Sequence, residues 1–268
     1  MAGVITIGDV GWRAEAALRR APGAIRVLAA LSASTYLTID GEIVWLGPVG
    51  SALHPRAMLT ADPLPAGGRP RFTLQGARRW RAPALPEGPH VEAALHAGAR
   101  ALAEDAPGIG DPDGFGPLLV GRVPAFPLDG AAPGAIALAR ACADDDPDAA
   151  VRAASPLIGL GPGLTPAGDD YVGGAFFARA LIAGRSGRGV DAWRQAASRT
   201  HPISAALLGD MLDGEGHAPL HELALRLASG RSRGDALDAA RRLTRIGHSS
   251  GWDMLAGFLA GLGRISNP

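Results

Sequence analysis

Two short stretches of this chain set glycine, hydroxyl and carboxylate side chains together where helices should begin. The first is Leu160-Gly161-Pro162-Gly163-Leu164-Thr165-Pro166-Ala167-Gly168-Asp169-Asp170. Glycines such as Gly161, Gly163 and Gly168 admit backbone angles closed to other residues and let a ligand approach the main chain. Thr165 before Pro166 has the order expected of an N-cap followed by the first helical residue. Asp169 and Asp170 then fall in the first turn, where negative charge suits the helix dipole.

The second stretch is Gly247-His248-Ser249-Ser250-Gly251-Trp252-Asp253. Laid over the first without gaps, Gly163, Thr165, Asp169 and Gly173 coincide with Gly247, Ser249, Asp253 and Gly257. On a helix, a hydroxyl, a carboxylate and a glycine spaced by four share one face. For one copy alone the plainer reading is a capped helix with a tightly packed glycine face. Two copies of the same stripe tilt the reading toward a site, in which Gly161, Gly163, Thr165, Gly168, Gly247, Ser249, Ser250, Gly251 and Asp253 contact a substrate. The two junctions should then lie side by side.

His248 lies inside the second stretch and can move a proton near neutral pH; the competing reading is a buried histidine bonded to a carbonyl. All 26 positive charges are arginine, with no lysine in the chain. That excludes a P-loop and Schiff-base chemistry, both of which need an amine side chain. Anions must be held by arginine, with Arg56, Arg199 and Arg245 as candidates, or by helix N-termini. The N–H groups near Ser249, Ser250 and Gly251 are the favoured anion donors, because Pro166 removes one donor from the first junction. The lone Cys142 adjoins Asp144-Asp145-Asp146, whose charge disfavours a thiolate, and it is set aside as a nucleophile. That aspartate run itself reads as a solvated turn.

The elements that must carry these groups fall into two parts. Residues 1–88 read as a β-rich domain, with strands at Ile25–Leu31, Thr35–Ile39 and Glu42–Leu46, a hairpin turn at Asp40-Gly41 and a helix at Trp12–Arg20. Residues 89–268 read as mainly helical: Val91–Glu104, Ala135–Cys142, Ala167–Ile182, Ser204–Leu212, Leu220–Ala228, Ala236–Arg245 and Trp252–Leu262, with one strand expected at Leu118–Val123. The fold class is α+β, a β-rich N-terminal part on a helical C-terminal part.

Apolar residues make up 47% of the 268, enough for a sizeable core. No apolar run reaches the length of a membrane span, and the first residues lack the pattern of a signal peptide. With one cysteine, no internal disulfide or cysteine zinc site is available. Cytoplasm is the expected location. The formal net charge is zero, which gives no support for a nucleic-acid partner. The run Arg78-Arg79-Trp80-Arg81 reads as a solvated turn rather than an RNA patch.

At the two junctions the chain resembles a family long filed as a domain of unknown function, the AllH-type subunit family of oxamate carbamoyltransferase. Gly159 through Asp170 and Ile246 through Asp253 carry the resemblance. Thr200-His201-Pro202-Ile203-Ser204 and Leu53-His54-Pro55-Arg56 are similar to family positions more weakly. The resemblance implies a subunit of a multi-chain enzyme of allantoin and purine catabolism, which takes oxalurate and phosphate to oxamate and carbamoyl phosphate. It implies small anionic substrates, phosphate and other subunits as partners. It brings no residue roles, so His248, Asp169 and Asp170 as catalytic groups, and Arg56 as a substrate contact, rest on chemistry alone.

Two other readings remain open. An acidic set of Asp169, Asp170 and Asp253 also fits magnesium in a metal-dependent hydrolase, since hard cations take carboxylate oxygens; the carbamoyltransferase reading requires no cofactor. Alternatively, the glycine faces dock a partner chain in a subunit without chemistry of its own.

Overall fold

A computed structural model of the protein describes residues 4–20, 25–86, 88–183, 190–230 and 232–265. The chain forms two compact units, Met1–Pro83 and Ala84–Pro268.

The first unit is a mixed sheet with one helix. Its strands are β1 (Val4–Thr6), β2 (Asp9–Gly11), β3 (Ile25–Ala30), β4 (Thr35–Ile39), β5 (Glu42–Pro48), β6 (Ala57–Thr60), β7 (Arg71–Thr73) and β8 (Arg78–Trp80), with α1 (Trp12–Arg20) after β2. Among the described residues six strands run in the order β3-β4-β5-β6-β2-β8, and β1 pairs with β7 apart from them. The β4–β5 hairpin turns at Asp40 and Gly41, both at positive φ, as an Asp-Gly turn between twisted strands requires. Ile7, Val10, Ala14, Leu18, Leu37, Ile39, Leu46 and Met58 form its core. The arginine run expected as a turn is instead an edge strand: β8 pairs in parallel with β2, and Arg78 grips Asp9 through two bonds of 2.8 and 2.9 Å.

The second unit is helical: α2 (Pro89–Glu104), α3 (Ala132–Ala143), α4 (Pro147–Ala154), α5 (Ala167–Ala183), α6 (Val190–Ala197), α7 (Pro202–Leu212), α8 (Ala218–Ser229), α9 (Arg233–Leu243) and α10 (Ser250–Gly261). α2 shows how sequence spacing becomes packing. Its Val91, Leu95, Ala99 and Leu102 recur on one face and are all buried. The whole protein is thus α+β. No helix among the described residues is long and apolar enough to cross a membrane.

One expectation fails here. Leu118–Val123 is not a strand: Gly116–Val120 coils into a 3-10 helix that Gly121 ends in the left-handed conformation. Leu118 and Leu119 bury their side chains in the helical core, so the apolar run serves packing between helices. The aspartate run is an exposed turn, as expected, and its last residue also has a structural use. Asp146 caps α4, its carboxylate accepting from Ala149 N–H at 2.9 Å.

α5 and α10 cross with their backbones nearly touching. A Cβ on Gly174 would meet Met254 O at 2.2 Å, and one on Gly257 would meet Tyr171 O at 1.8 Å. Only hydrogen fits in such gaps, so glycine sets the depth of this crossing. The glycine paired with Gly257 by the sequence overlay, Gly173, does not share that role. Its Cβ would find only Leu208 and Met211 side-chain atoms at 3.4 Å.

Candidate active site at the two helix starts

The close crossing brings the first turns of α5 and α10 together, so the two sequence stretches build one polar cluster. Ser250, the first residue of α10, sets its hydroxyl near enough to the Asp170 carboxylate of α5 to favour the charged form, and Asp170 and Asp253 repel one another.

Asp169 and Asp253 are held in the same way from different loops. Gly159 N–H donates to Asp169 Oδ1 at 2.7 Å. Phe115 N–H donates to Asp253 Oδ1 at 2.7 Å. They differ at the second oxygen. Asp169 Oδ2 accepts from the hydroxyls of Thr200 and of Ser204, the latter at 2.6 Å. The Ser249 hydroxyl lies near Asp253 and favours its charged form, yet Asp253 Oδ2 is buried without a partner. Asp170 Oδ2 is likewise buried and unpartnered.

These environments set the charges. Burial pushes the Asp253 carboxyl up to about 7, against the opposing Phe115 N–H bond and the nearby Ser249 hydroxyl. Burial raises Asp170 well above the usual carboxylate range, with the Asp253 charge adding to the effect and the Ser250 hydroxyl opposing it.

Ser249 stands at the N-cap of α10 but makes no capping bond to the backbone; its hydroxyl lies near Asp253, one turn on. In α5 the first turn closes with Asp170 N–H on Pro166 O at 3.2 Å. Pro166 therefore takes the N-cap place expected of Thr165, which is half-buried just before it. The backbone donors expected for an anion are partly spent. Gly251 N–H donates to Ile246 O at 3.0 Å, and Gly168 N–H to Leu160 O at 2.9 Å. Both glycines are buried in close contacts, a Cβ on Gly251 falling 2.0 Å from Leu243 O and one on Gly168 falling 1.9 Å from Leu157 O. Gly161, Gly163 and Gly247 shape the turns ahead of the helices at positive φ.

His248 is not a buried histidine. Its side chain is 98% exposed, with Nε2 at 3.5 Å from Asp113 Oδ2. The arginines divide sharply. Arg56 belongs to the first unit, where it bonds Glu42 and Ile43 O at 3.1 and 3.2 Å. Arg199 bonds the Ser155 hydroxyl and the Ala196 carbonyl. Arg245 is exposed on the turn that carries Gly247 and His248. Cys142 is buried, and burial pushes its thiol up to about 11, which leaves it protonated.

Sequence reasoning missed the loop Asp113-Gly114-Phe115 as part of this cluster. Phe115 N–H holds Asp253, Asp113 meets His248, and Gly114 lies so close that a Cβ would fall 2.1 Å from Asp253 Oδ1. The visible signal was only a loop dense in glycine, proline and aspartate. Asp169, Asp170 and Asp253 do not converge as one metal cage, and no group of three acidic, histidine or cysteine side chains among the described residues does so. Asp169 has both oxygens engaged by neutral donors.

Residues 157–262 match the sequence model of the family described as oxamate carbamoyltransferase subunit AllH. The matched segment takes in both junctions and Thr200 to Ser204; the 113–115 loop and the first unit lie outside it. No curated protein and no solved structure matches the chain.

Proposed function

We propose that this chain is a subunit of a carbamoyltransferase converting oxalurate and phosphate to oxamate and carbamoyl phosphate, with its site where α5 and α10 begin. The observation carrying this reading is a coincidence of boundaries. The segment matching the oxamate carbamoyltransferase subunit family contains both helix starts and most of the polar side chains around them, Asp169, Asp170, Thr200, Ser204, Ser249, Ser250 and Asp253, while Asp113 and Phe115 lie outside it.

In this reaction a phosphate oxygen attacks the carbamoyl carbon, the bond from that carbon to the bridging nitrogen breaks, and the nitrogen leaves as the oxamate amide with a proton. In this reading His248 supplies that proton; its exposure beside the cluster and its contact with Asp113 support the role. Arg245, on the same exposed turn, offers a guanidinium to the substrate carboxylate. Asp169 acts through position, locking the first turn of α5 to the loop at Gly159 and the start of α7.

The test is reconstitution of the complex with and without this chain, following oxamate and carbamoyl phosphate from oxalurate. Expected is activity that requires the chain and drops in His248→Gln. Full activity without the chain rejects the reading. Activity that needs the chain but ignores both His248→Gln and Asp170→Asn makes it a docking subunit.

A further inference from the structure

We infer that Asp170 and Asp253 together bind one divalent cation such as magnesium at the meeting of the two helix starts, in an open site that a substrate phosphate can complete. The argument begins with oxygens that lack partners. Asp170 Oδ2 and Asp253 Oδ2 are both buried and make no hydrogen bond, and Asp253 is 0% exposed. Unpaired buried charge is costly, and structures resolve it by protonation, ion pairing or metal binding. The donors around these two carboxylates are all neutral: the Ser250 hydroxyl near Asp170, and the bonded Phe115 N–H with the nearby Ser249 hydroxyl for Asp253. No ion pair joins either to an arginine or histidine among the described residues; the nearby charges are Asp169 and Asp113.

Two adjacent carboxylates, with the Ser249 and Ser250 hydroxyls beside them, make an all-oxygen donor set, which selects hard divalent cations. Two carboxylates do not fill six positions, in keeping with the absence of any three-residue cage among the described residues. That is the usual protein share of a magnesium site, which keeps waters and takes substrate phosphate oxygens. Asp169 is excluded, since Gly159 N–H, Thr200 and Ser204 occupy its oxygens.

A cation also resolves a conflict within the site. The Gly251 and Gly168 N–H groups are bonded to carbonyls, so they are not available to hold phosphate, and bare carboxylates repel it. A bound divalent ion reverses the sign of the field there. The cation rests on the carboxylates alone; its bridging to phosphate rests on the carbamoyltransferase reading.

The experiment titrates manganese, as a spectroscopically visible probe, into the full chain by electron paramagnetic resonance and calorimetry, with magnesium as competitor. Wild type should bind one ion, displaced by magnesium, and an exposed control, Asp144→Asn, should bind equally. Asp170→Asn and Asp253→Asn should each weaken binding by roughly ten- to a hundredfold. The Asp253→Asn variant keeps a carbonyl acceptor for Phe115 N–H, and circular dichroism checks the fold; if it does not fold, Asp170→Asn decides. No saturable manganese binding to folded wild type, or binding that Asp170→Asn leaves intact, overturns the site. In a second arm inorganic phosphate should bind more tightly with manganese present. Manganese binding without that effect removes the phosphate bridge while leaving the cation site standing.

Discussion

The Ser250 hydroxyl at the start of α10 lies near enough to the Asp170 carboxylate in the first turn of α5 to favour its charged form, and this proximity makes one site of two motifs 80 residues apart in sequence. It predicts a coupled effect. Ser250→Ala leaves a buried carboxylate with less support, and a hydrogen bond to a charged group contributes about 1.5–3 kcal/mol. Urea unfolding should show a loss near the low end, because Ser250 is only half-buried. In the double variant with Asp170→Asn that loss should shrink. Additive losses would mean that the two residues do not communicate.

The neighbouring aspartates should separate cleanly. Asp169 answers three donors, so Asp169→Ala strands Gly159 N–H and the Thr200 and Ser204 hydroxyls. The expected cost is about 3 kcal/mol or more. Asp170→Asn removes a buried charge that Asp253 opposes, so it should hold or raise stability while lowering the activity of the reconstituted enzyme. Equal destabilisation by both substitutions would contradict this division.

Gly173 and Gly257 look equivalent in the sequence overlay, and the structure makes them unequal. Gly257→Ala drives a methyl into Tyr171 O and should cost roughly 3 kcal/mol or more, at the upper end of overpacking. Gly173→Ala meets only side-chain atoms at ordinary contact distance. Its strain should be offset by the gain in helix propensity of about 0.5–1 kcal/mol. Thermal denaturation of the two variants gives the comparison directly, and similar melting temperatures would dismiss the crossing as the reason for Gly257.

Much of this was legible in the sequence because local chemistry announces it. Asp40-Gly41 marks a hairpin wherever it stands between strands. A Thr-Pro or Ser-Ser pair before an aspartate marks a helix start to within a residue. What escaped depends on contacts distant in sequence. Nothing local in Asp113-Gly114-Phe115 says that the Phe115 N–H will meet Asp253. The apolar Leu118 and Leu119 read as a strand because a buried 3-10 turn and a buried strand share the same composition. The pairing of β8 with β2 spans most of the first unit, and a short run of arginines carries no sign of it. Thr200 and Ser204 stood in a weakly recognised stretch, and only the fold turns them toward Asp169.

Acid should loosen the second unit through His217 and His221. Burial lowers both to about 4, with mutual repulsion adding at His221. His221 Nε2 accepts from Gly216 N–H at 2.9 Å, a bond only the unprotonated nitrogen can make. The unfolded value is about 6.5. Their contribution is therefore fully present above pH 6.5 and is lost as pH falls toward 4, at up to about 1.4 kcal/mol per pH unit for each histidine. Urea unfolding at pH 7.5, 6 and 5 should show wild type declining more steeply than the His217→Gln/His221→Gln double variant. Parallel slopes would remove the pair from the account.

His248 gives the sharpest separation of chemistry from stability. Its side chain is almost fully exposed and touches the protein at Asp113 over 3.5 Å. Removing such a group should change folding stability by no more than about 0.5 kcal/mol. If it gives the proton to the leaving nitrogen, His248→Gln should lower kcat by about a hundredfold or more, with KM for oxalurate little changed. Asp113→Asn should have a smaller effect, since Asp113 only orients the ring. A His248→Gln enzyme with the wild-type kcat would move the proton donor elsewhere in the complex.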